Sequence, residues 1–381
     1  MSEHSAVRGL RLLMTADAVG GVFSYTLSLT RELCRRGAEV LVACMGPEPS
    51  QAQRAEARAI PGLRLEHAPY KLEWMDAPWA DVDRAGDWLL GLGRELDADI
   101  AHLNGYCHAA LPWDVPTVVV AHSCVVSWWR AVFGADAPQP YQRYRERVSC
   151  GLTHASAVVA PSTSMLQSLR DEHGYRGPGS VIFNGVSSAA CFRRSKRPFY
   201  LAAGRLWDRA KNLGLIIDAS AQLPWPVHVV GDGFPASQGC PVIGTGRLEH
   251  ADLARLMGEA SVFLHPARYE PFGLAPLEAA LCGAALVLGR LDSLREIWGE
   301  TALYVSADDP HELARTATLL ADDPMLRHSL SKKAEARARE LSSARMADNY
   351  AKLYARVMAE AASRSTAAPL RLRKTTHLQQ A

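Results

Sequence analysis

Short runs of Val, Ile, Leu and Ala alternate with longer segments of helical period along nearly the whole chain, and this alternation restricts the fold more than any other feature. LRLLMTA (10–16), AEVLVAC (38–44), ADIAHLN (98–104), PTVVVAH (116–122) and ASAVVAPS (155–162) predict strands in the first half. VFSYTLSLTRELCRRG (22–37) repeats its apolar positions at helical spacing and stops at Gly37. Strands that are apolar on both faces belong to parallel sheets covered by crossover helices. The pattern breaks after VIFNGV (181–186), where 187–198 is polar and basic, and resumes with FYLAAGR (199–205), PVHVVGD (226–232), SVFLHPA (261–267), AALVLG (284–289) and TALYVS (301–306). With 381 residues, the chain is long enough for two cores. The expected fold is α/β, with two Rossmann-like domains facing each other across a cleft.

The expected boundaries are 1–186 for the first domain, 187–198 for a linker and 199–341 for the second domain. An amphipathic helix is expected over 342–362, and 363–381 is a loose basic tail. Met346, Tyr350, Leu353, Tyr354 and Val357 recur at helical spacing in that helix, more apolar than a free end needs.

The formal charge of +2 gives no reason to expect nucleic acid as a partner. The eight cysteines are scattered without a C-x-x-C pair, so neither a zinc ribbon nor a disulfide framework is expected. The first residues lack a signal-peptide core, and no stretch reaches membrane-spanning length; a cytoplasmic chain is expected.

Ligands in open parallel sheets bind beyond the carboxyl ends of the strands. Each candidate below follows a predicted strand. Gly20 and Gly21 open the first helix, either as a simple turn or as a close backbone approach to a diphosphate. Gly204 and Arg205 follow the first strand of the second half, with Lys211 six positions beyond Arg205. The two cations are either surface charge or a clamp on a diphosphate. His122 ends a strand, as does Asn104 within HLNGYCH. Trp128 and Trp129 fit a core or interface as well as a sugar-stacking platform.

RYEPFGLAPLEA (268–279 by register, beginning at Arg268) sets Glu270 and Glu278 on either side of Phe272-Gly273-Leu274. Phe272 to Gly283 predicts a helix whose first free N–H groups belong to about Phe272, Gly273 and Leu274. Glu270 before a helix start is an ordinary dipole partner. Glu278 inside an apolar helix needs donors, which hydroxyl pairs of a ribose or sugar would supply.

On E-x7-E (Glu270 to Glu278), Gly204-Arg205 with Lys211, and VGGV (19–22), the chain resembles the retaining glycosyltransferases of family 4, which have the GT-B fold. APS (160–162), FNGV (183–186) and GDG (231–233) support the resemblance, which spans roughly residues 10–362. It implies a donor-side second domain and an acceptor-side first domain, with the helix over 342–362 crossing back onto the first domain. Glu278 would hold ribose hydroxyls, and Glu270 would sit near the transferred sugar. The backbone at Phe272, Gly273 and Leu274 would donate to sugar and phosphate oxygens. Arg205, Lys211, Gly204, Gly20 and Gly21 would surround the diphosphate. His122 would lie near the sugar, with Asn104 and Trp128 on the acceptor side.

The implied reaction is metal-independent transfer, without cofactor, from a nucleotide-diphosphate sugar to a hydroxyl of a saccharide, glycolipid or small molecule. Contact with a membrane is left open by Trp128, Trp129 and RYRER (143–147) but is not indicated. The chain departs from the family pattern at Ala267, Phe234 and Leu291-Asp292, the last in a loop that normally approaches the donor. Alternatives are a nucleotide-sugar 2-epimerase of similar architecture, which would need several carboxylates in the cleft, and a non-catalytic nucleotide-sugar-binding protein.

Overall fold

The computed structural model describes residues 7–187, 194–234 and 242–367. In the first half, seven parallel strands form one sheet: β1 (Arg11–Asp17), β2 (Glu39–Met45), β3 (Leu63–Ala68), β4 (Ile100–Leu103), β5 (Thr117–Val120), β6 (Ala157–Ala160) and β7 (Gly179–Val181). Their order is β3-β2-β1-β4-β5-β6-β7. Helices α1 (Gly21–Arg35), α2 (Gln51–Arg58), α3 (Trp79–Leu96), α4 (Val125–Phe133), α5 (Gln142–His154) and α6 (Thr163–His173) make the crossovers.

The second sheet has six parallel strands, β8 (Arg197–Ala203), β9 (Val227–Val230), β10 (Val242–Gly244), β11 (Ala260–His265), β12 (Ala285–Gly289) and β13 (Leu303–Val305), ordered β10-β9-β8-β11-β12-β13. It carries α7 (Leu213–Ser220), α8 (His250–Glu259), α9 (Leu274–Leu281), α10 (Asp292–Trp298), α11 (Pro310–Asp322) and α12 (Pro324–Glu340). Both sheets reverse winding direction once, between β1 and β4 and between β8 and β11. A ligand crevice opens at such a switch point.

Central strands such as β5 (TVVV) are buried at every position, which explains their unbroken apolar runs. The strands that the apolar pattern does not predict are edges: β3, with Arg64, Glu66 and His67, and the three-residue β7 and β10. An edge strand is solvated, so polar residues suit it. β8 starts at Arg197, inside the expected linker, of which 188–193 lie outside the described residues. The helix expected over 272–283 is the shorter α9.

The last helix, α13 (Ser343–Ala367), runs five residues past the expected end at 362. Its Met346, Tyr350, Leu353, Tyr354 and Val357 are buried in the first domain's core with Tyr25, Leu29 and Leu33 of α1. At the crossing the Val186 N–H donates to the Leu341 carbonyl (3.3 Å), and the Ser343 N–H donates to the Val186 carbonyl (3.2 Å). The two connections between the domains therefore run side by side. A Cβ on Gly185 would lie 2.2 Å from the Ser342 carbonyl oxygen, so only glycine admits this approach. Buried Arg36, at the end of α1, donates to Asp348 (2.6 Å) and to the Ala344 carbonyl (2.9 Å), fixing the start of α13.

Candidate functional site

After β8 the chain makes a tight loop pinned from within. Asp208 accepts from the Ala210 N–H (2.9 Å) and from Arg205 (3.2 Å). Asn212, left-handed at φ 58°, donates to the Pro266 and Ala307 carbonyls (2.9 and 2.8 Å), tying the loop to the end of β11. That anchoring delivers Lys211, whose Nζ donates to Glu270 Oε2 at 2.6 Å. His265, the last residue of β11, brings its Nε2 within 2.9 Å of the same oxygen. Burial by itself would raise the Glu270 pKa, but Lys211 and His265 outweigh it and hold the carboxyl well below its usual range. Burial pushes the His265 imidazole down.

The chain then turns at Gly273, φ +92°, into α9. No side chain caps this start, and Pro276 has no N–H. The Phe272, Gly273, Leu274 and Ala275 N–H groups have no acceptor among the described residues. The three donors that the sequence singles out, Phe272, Gly273 and Leu274, are among them, although α9 itself begins only at Leu274. Phe272 buries its side chain in the second core, near Phe183. Facing this start across the domains is the Gly20-Gly21 turn. A Cβ on Gly20 (φ +91°) would lie 3.1 Å from an Arg205 guanidinium nitrogen, and one on Gly21 would lie 3.2 Å from the Leu274 side chain. Gly20, Gly21, Gly204, Arg205, Lys211, Glu270 and Leu274 are thus brought to one place.

Glu278, on the second turn of α9, is partly buried and its carboxylate has no hydrogen-bond partner among the described residues. It lines an interdomain cavity of about 70 Å³ with Ser24 and Ser28 of α1, Arg31, Glu56 of α2 and His250 of α8. Burial raises its pKa to about 7; His250 opposes the rise and Glu56 adds to it.

On the first domain's side, Asn104 sits beyond β4 and His122 beyond β5. Asn104 Oδ1 lies 2.9 Å from His122 Nε2 and 3.2 Å from His102 Nε2. His122 meets Tyr25 edge-on, with ring centres 4.4 Å apart. Burial lowers the pKa of both imidazoles to about 3. Asp17, at the end of β1, is buried and raised to about 6 by that burial, despite the Val19 N–H (2.8 Å) and the charge of Arg205.

The description "Glycosyltransferase Family 4" matches residues 19–189 and "Glycosyl transferases group 1" matches 197–323, one on each domain. The first domain is a family 4 glycosyltransferase domain and the second a group 1 glycosyltransferase domain. The chain's curated relatives include a glycogen synthase of Mycobacterium tuberculosis, 27% identical over 83% of this chain and 87% of that one. A D-inositol 3-phosphate glycosyltransferase of Kineococcus radiotolerans is 26% identical over 93% of this chain and 94% of that one. Among solved structures, sucrose-phosphate synthase of Thermosynechococcus elongatus superposes with TM-score 0.77 at 19% identity, covering 92% of this chain and all of that one (100%). Anabaena HepE with UDP and glucose gives TM-score 0.71 at 17% identity over 90% and 99%. The fold is GT-B, and the protein is an enzyme of the transferase class.

Several residues of this glycosyltransferase take places that its sequence does not announce. Trp128 sits at the interface between the domains: its indole N–H donates to Asp208 across them at 3.0 Å, and its ring packs on Trp129 and Phe133. Tyr269 accepts from the Cys124 N–H (3.0 Å), Ser162 donates to the Pro271 carbonyl (2.8 Å), and Glu296 accepts from the Thr163 N–H (2.8 Å). These contacts join the domains around the site. His265, Asp208 and Asn212 escape sequence reasoning because their partners are 5 to 95 positions away. The strand-end His265-Pro266 and the Asp208 turn are the only local signals.

The basic run 143–147 is engaged by the protein itself. Arg143 and Arg147 lie over the Trp79 ring, and Arg145 donates to the Glu172 carbonyl. Of the two Asp-x-Asp pairs, Asp81–Asp83 lies at the start of α3 and Asp97–Asp99 just after its end, held by Arg84, Arg147 and Arg11. No cluster of metal-ligating side chains and no helix long and apolar enough to cross a membrane occurs among the described residues. No disulfide forms among the described cysteines; Cys191 and Cys240 lie outside the described residues.

Proposed function

We propose that this glycosyltransferase moves a sugar from a nucleoside diphosphate sugar to an acceptor hydroxyl with retained configuration, and that it needs no metal. The observation that carries this reading is the cluster of Arg205, Lys211 and the open start of α9, facing the Gly20-Gly21 turn at a switch point. Cations and unpaired N–H groups suit a diphosphate, and they stabilise the charge that grows on it as it leaves. The complexes of HepE with UDP and glucose and with UDP-glucose support the donor class.

In this reaction the bond from the anomeric carbon to the diphosphate oxygen breaks and its electron pair stays with the phosphate. The acceptor oxygen bonds to the same face of the sugar, and its proton passes to a phosphate oxygen. Glu270 is ionised but committed to Lys211 and His265, so it suits positioning better than nucleophilic attack. Glu278, without a partner and in the low-dielectric cavity, is matched to the ribose hydroxyls.

The test is incubation with a panel of UDP-, GDP- and ADP-sugars, with and without hydroxyl acceptors, followed by NMR of the products. Transfer with the donor's anomeric configuration supports the proposal. Conversion of the donor to another sugar without acceptor would favour epimerisation, and inverted product would refute retention.

A further inference from the structure

We infer that Asn104 is a positioning residue that fixes His122 with its hydrogen on Nε2 and its lone pair on Nδ1, so that the first domain offers its ligand a neutral hydrogen-bond acceptor. The inference deepens the proposed function and rests on it for the ligand.

Asn104 Nδ2 lies 2.6 Å from the Thr15 carbonyl oxygen and 3.2 Å from Thr26 Oγ1, and the Asn104 backbone N–H donates to Thr15 Oγ1 at 2.8 Å. A carbonyl oxygen only accepts, so the amide nitrogen must face it. The opposite atom is then Oδ1, which also only accepts. Two imidazole nitrogens address Oδ1, Nε2 of His122 at 2.9 Å and Nε2 of His102 at 3.2 Å, so both carry hydrogen. His102 completes its bonding at Nδ1, which accepts from the Tyr354 hydroxyl at 2.7 Å. That hydroxyl comes from α13, so the end of the chain supports the arrangement from beneath the sheet.

His122 differs from His102 in one respect. Its Nδ1 has no partner among the described residues, and the residue is only partly buried beside the cleft. The burial that keeps both rings neutral leaves that lone pair as an acceptor. The matching group on a ligand is an O–H or N–H donor. A carboxylate or phosphate at that point has no hydrogen to give and meets a lone pair. The orientation of one amide therefore decides which functional group the site admits.

The decisive measurement uses the wild-type protein labelled with ¹⁵N-histidine, with the His122 signals identified by comparison with His122→Gln. The expected spectrum has an unprotonated Nδ1 and a protonated Nε2 at neutral pH. Hydrogen on Nδ1 overturns the inference. In Asn104→Asp a carboxylate faces the ring and favours the imidazolium, so Nδ1 becomes protonated. Turnover should then fall about tenfold or more, while UDP, which has no sugar to reach His122, stabilises the variant as it does the wild type. Asn104→Leu should lose the single tautomer. Wild-type tautomer and turnover in folded Asn104→Leu would overturn the role of Asn104. If that variant fails to fold, the wild-type spectrum and Asn104→Asp decide. An enzyme that transfers no sugar from any donor would defeat the functional reading alone, because the tautomer is read without substrate.

Discussion

At the crevice between β8 and β11, Arg205, Lys211 and His265 gather around two carboxylates, Asp208 and Glu270. At the crevice between β1 and β4, Asn104 joins two neutral imidazoles, and the acid at the end of β1, Asp17, has its pKa raised to about 6. Both crevices come from the same strand order, so the backbone alone does not decide what enters them. The difference is electrostatic. One crevice holds cations against carboxylates; the other pairs neutral imidazoles with an amide and has no cation, only an acid whose ionisation burial delays. The first suits an anionic leaving group and the second a hydroxylated one.

The domains also differ in how they complete their cores. The second is closed by α9, α10 and α12 from its own stretch of chain. The first borrows α13 from the far end. Truncation at about 340 should therefore have the largest effect of any change, exposing Tyr25, Leu29 and Leu33 and leaving His102 without Tyr354. Tyr354→Ala alone should cost about 3–5 kcal/mol, as large aromatic deletions in cores do. Thermal melting measures both. An unchanged melting curve after the truncation would make the helix an appendage and erase this half of the comparison. Deletion after Ala367 removes only residues outside the described helix and should leave activity intact.

Legibility in the sequence follows the range of the interactions involved. Strands buried on both faces, such as β1, β5 and β12, declare themselves locally, because burial demands unbroken apolar runs. The solvated edges β3, β7 and β10 do not, because their pairing comes from a neighbour. Glu270, Lys211 and Arg205 are visible through local spacing, and the apolar stripe of α13 announces a buried helix, while its place on the first domain follows only from the family resemblance. Trp128 illustrates what is lost: its partner Asp208 is 80 positions away, and two adjacent tryptophans suit a platform as well as an interface. The start of α9 shifts because Gly273 adopts a left-handed conformation, which the residue type permits but does not require.

The cationic crevice can be broken one charge at a time. Arg205→Ala and Lys211→Ala should each lower turnover about a hundredfold or more, with weaker effects on nucleoside monophosphate binding, because the charge they meet grows as the diphosphate leaves. Their stability effects should differ. Arg205 is 40% exposed at the side chain, so its loss is tolerated. Lys211 and Glu270 are 19% and 12% exposed, so Lys211→Ala leaves a buried carboxylate with only His265 and costs about 3–5 kcal/mol. Steady-state kinetics and melting curves on both variants check this. Wild-type turnover in either would make it ordinary surface charge.

Glu278 sharpens the comparison from within one helix, since it lies eight positions from Glu270 with its pKa shifted in the opposite direction. Glu278→Ala should remove most activity through donor binding, at about 1.5–3 kcal/mol per hydrogen bond lost to a hydroxyl. Its pH signature is separable. A carboxyl with a folded pKa of about 7 and an unfolded value near 4.5 binds more protons folded than unfolded between those values. Its contribution to stability is therefore lost as pH rises through that window. Without ligand, Glu278→Gln should raise the melting temperature more at pH 8 than at pH 5. The difference between the two proteins isolates this residue from the opposing effect of the buried histidines. A shift that does not depend on pH would mean that Glu278 is solvated.

The smallest expected effect is none. If Arg205, Lys211 and the open start of α9 supply the positive potential that a leaving diphosphate needs, a chelator should leave turnover unchanged. Added magnesium should raise it no more than general salt effects allow. The physical reason is occupancy: a divalent ion bridging phosphate oxygens would have to share the space with Arg205, which already contacts the Gly20 turn, and would meet Lys211 beside Glu270. The measurement is turnover at saturating donor across EDTA and magnesium concentrations, in the wild type and in Lys211→Ala. Metal independence in the wild type together with partial rescue of Lys211→Ala by magnesium would show that one positive charge stands in for the other. A strict, reversible magnesium requirement in the wild type would mean that side chains alone do not make up the cationic crevice, and the contrast with the neutral one would then need a third component.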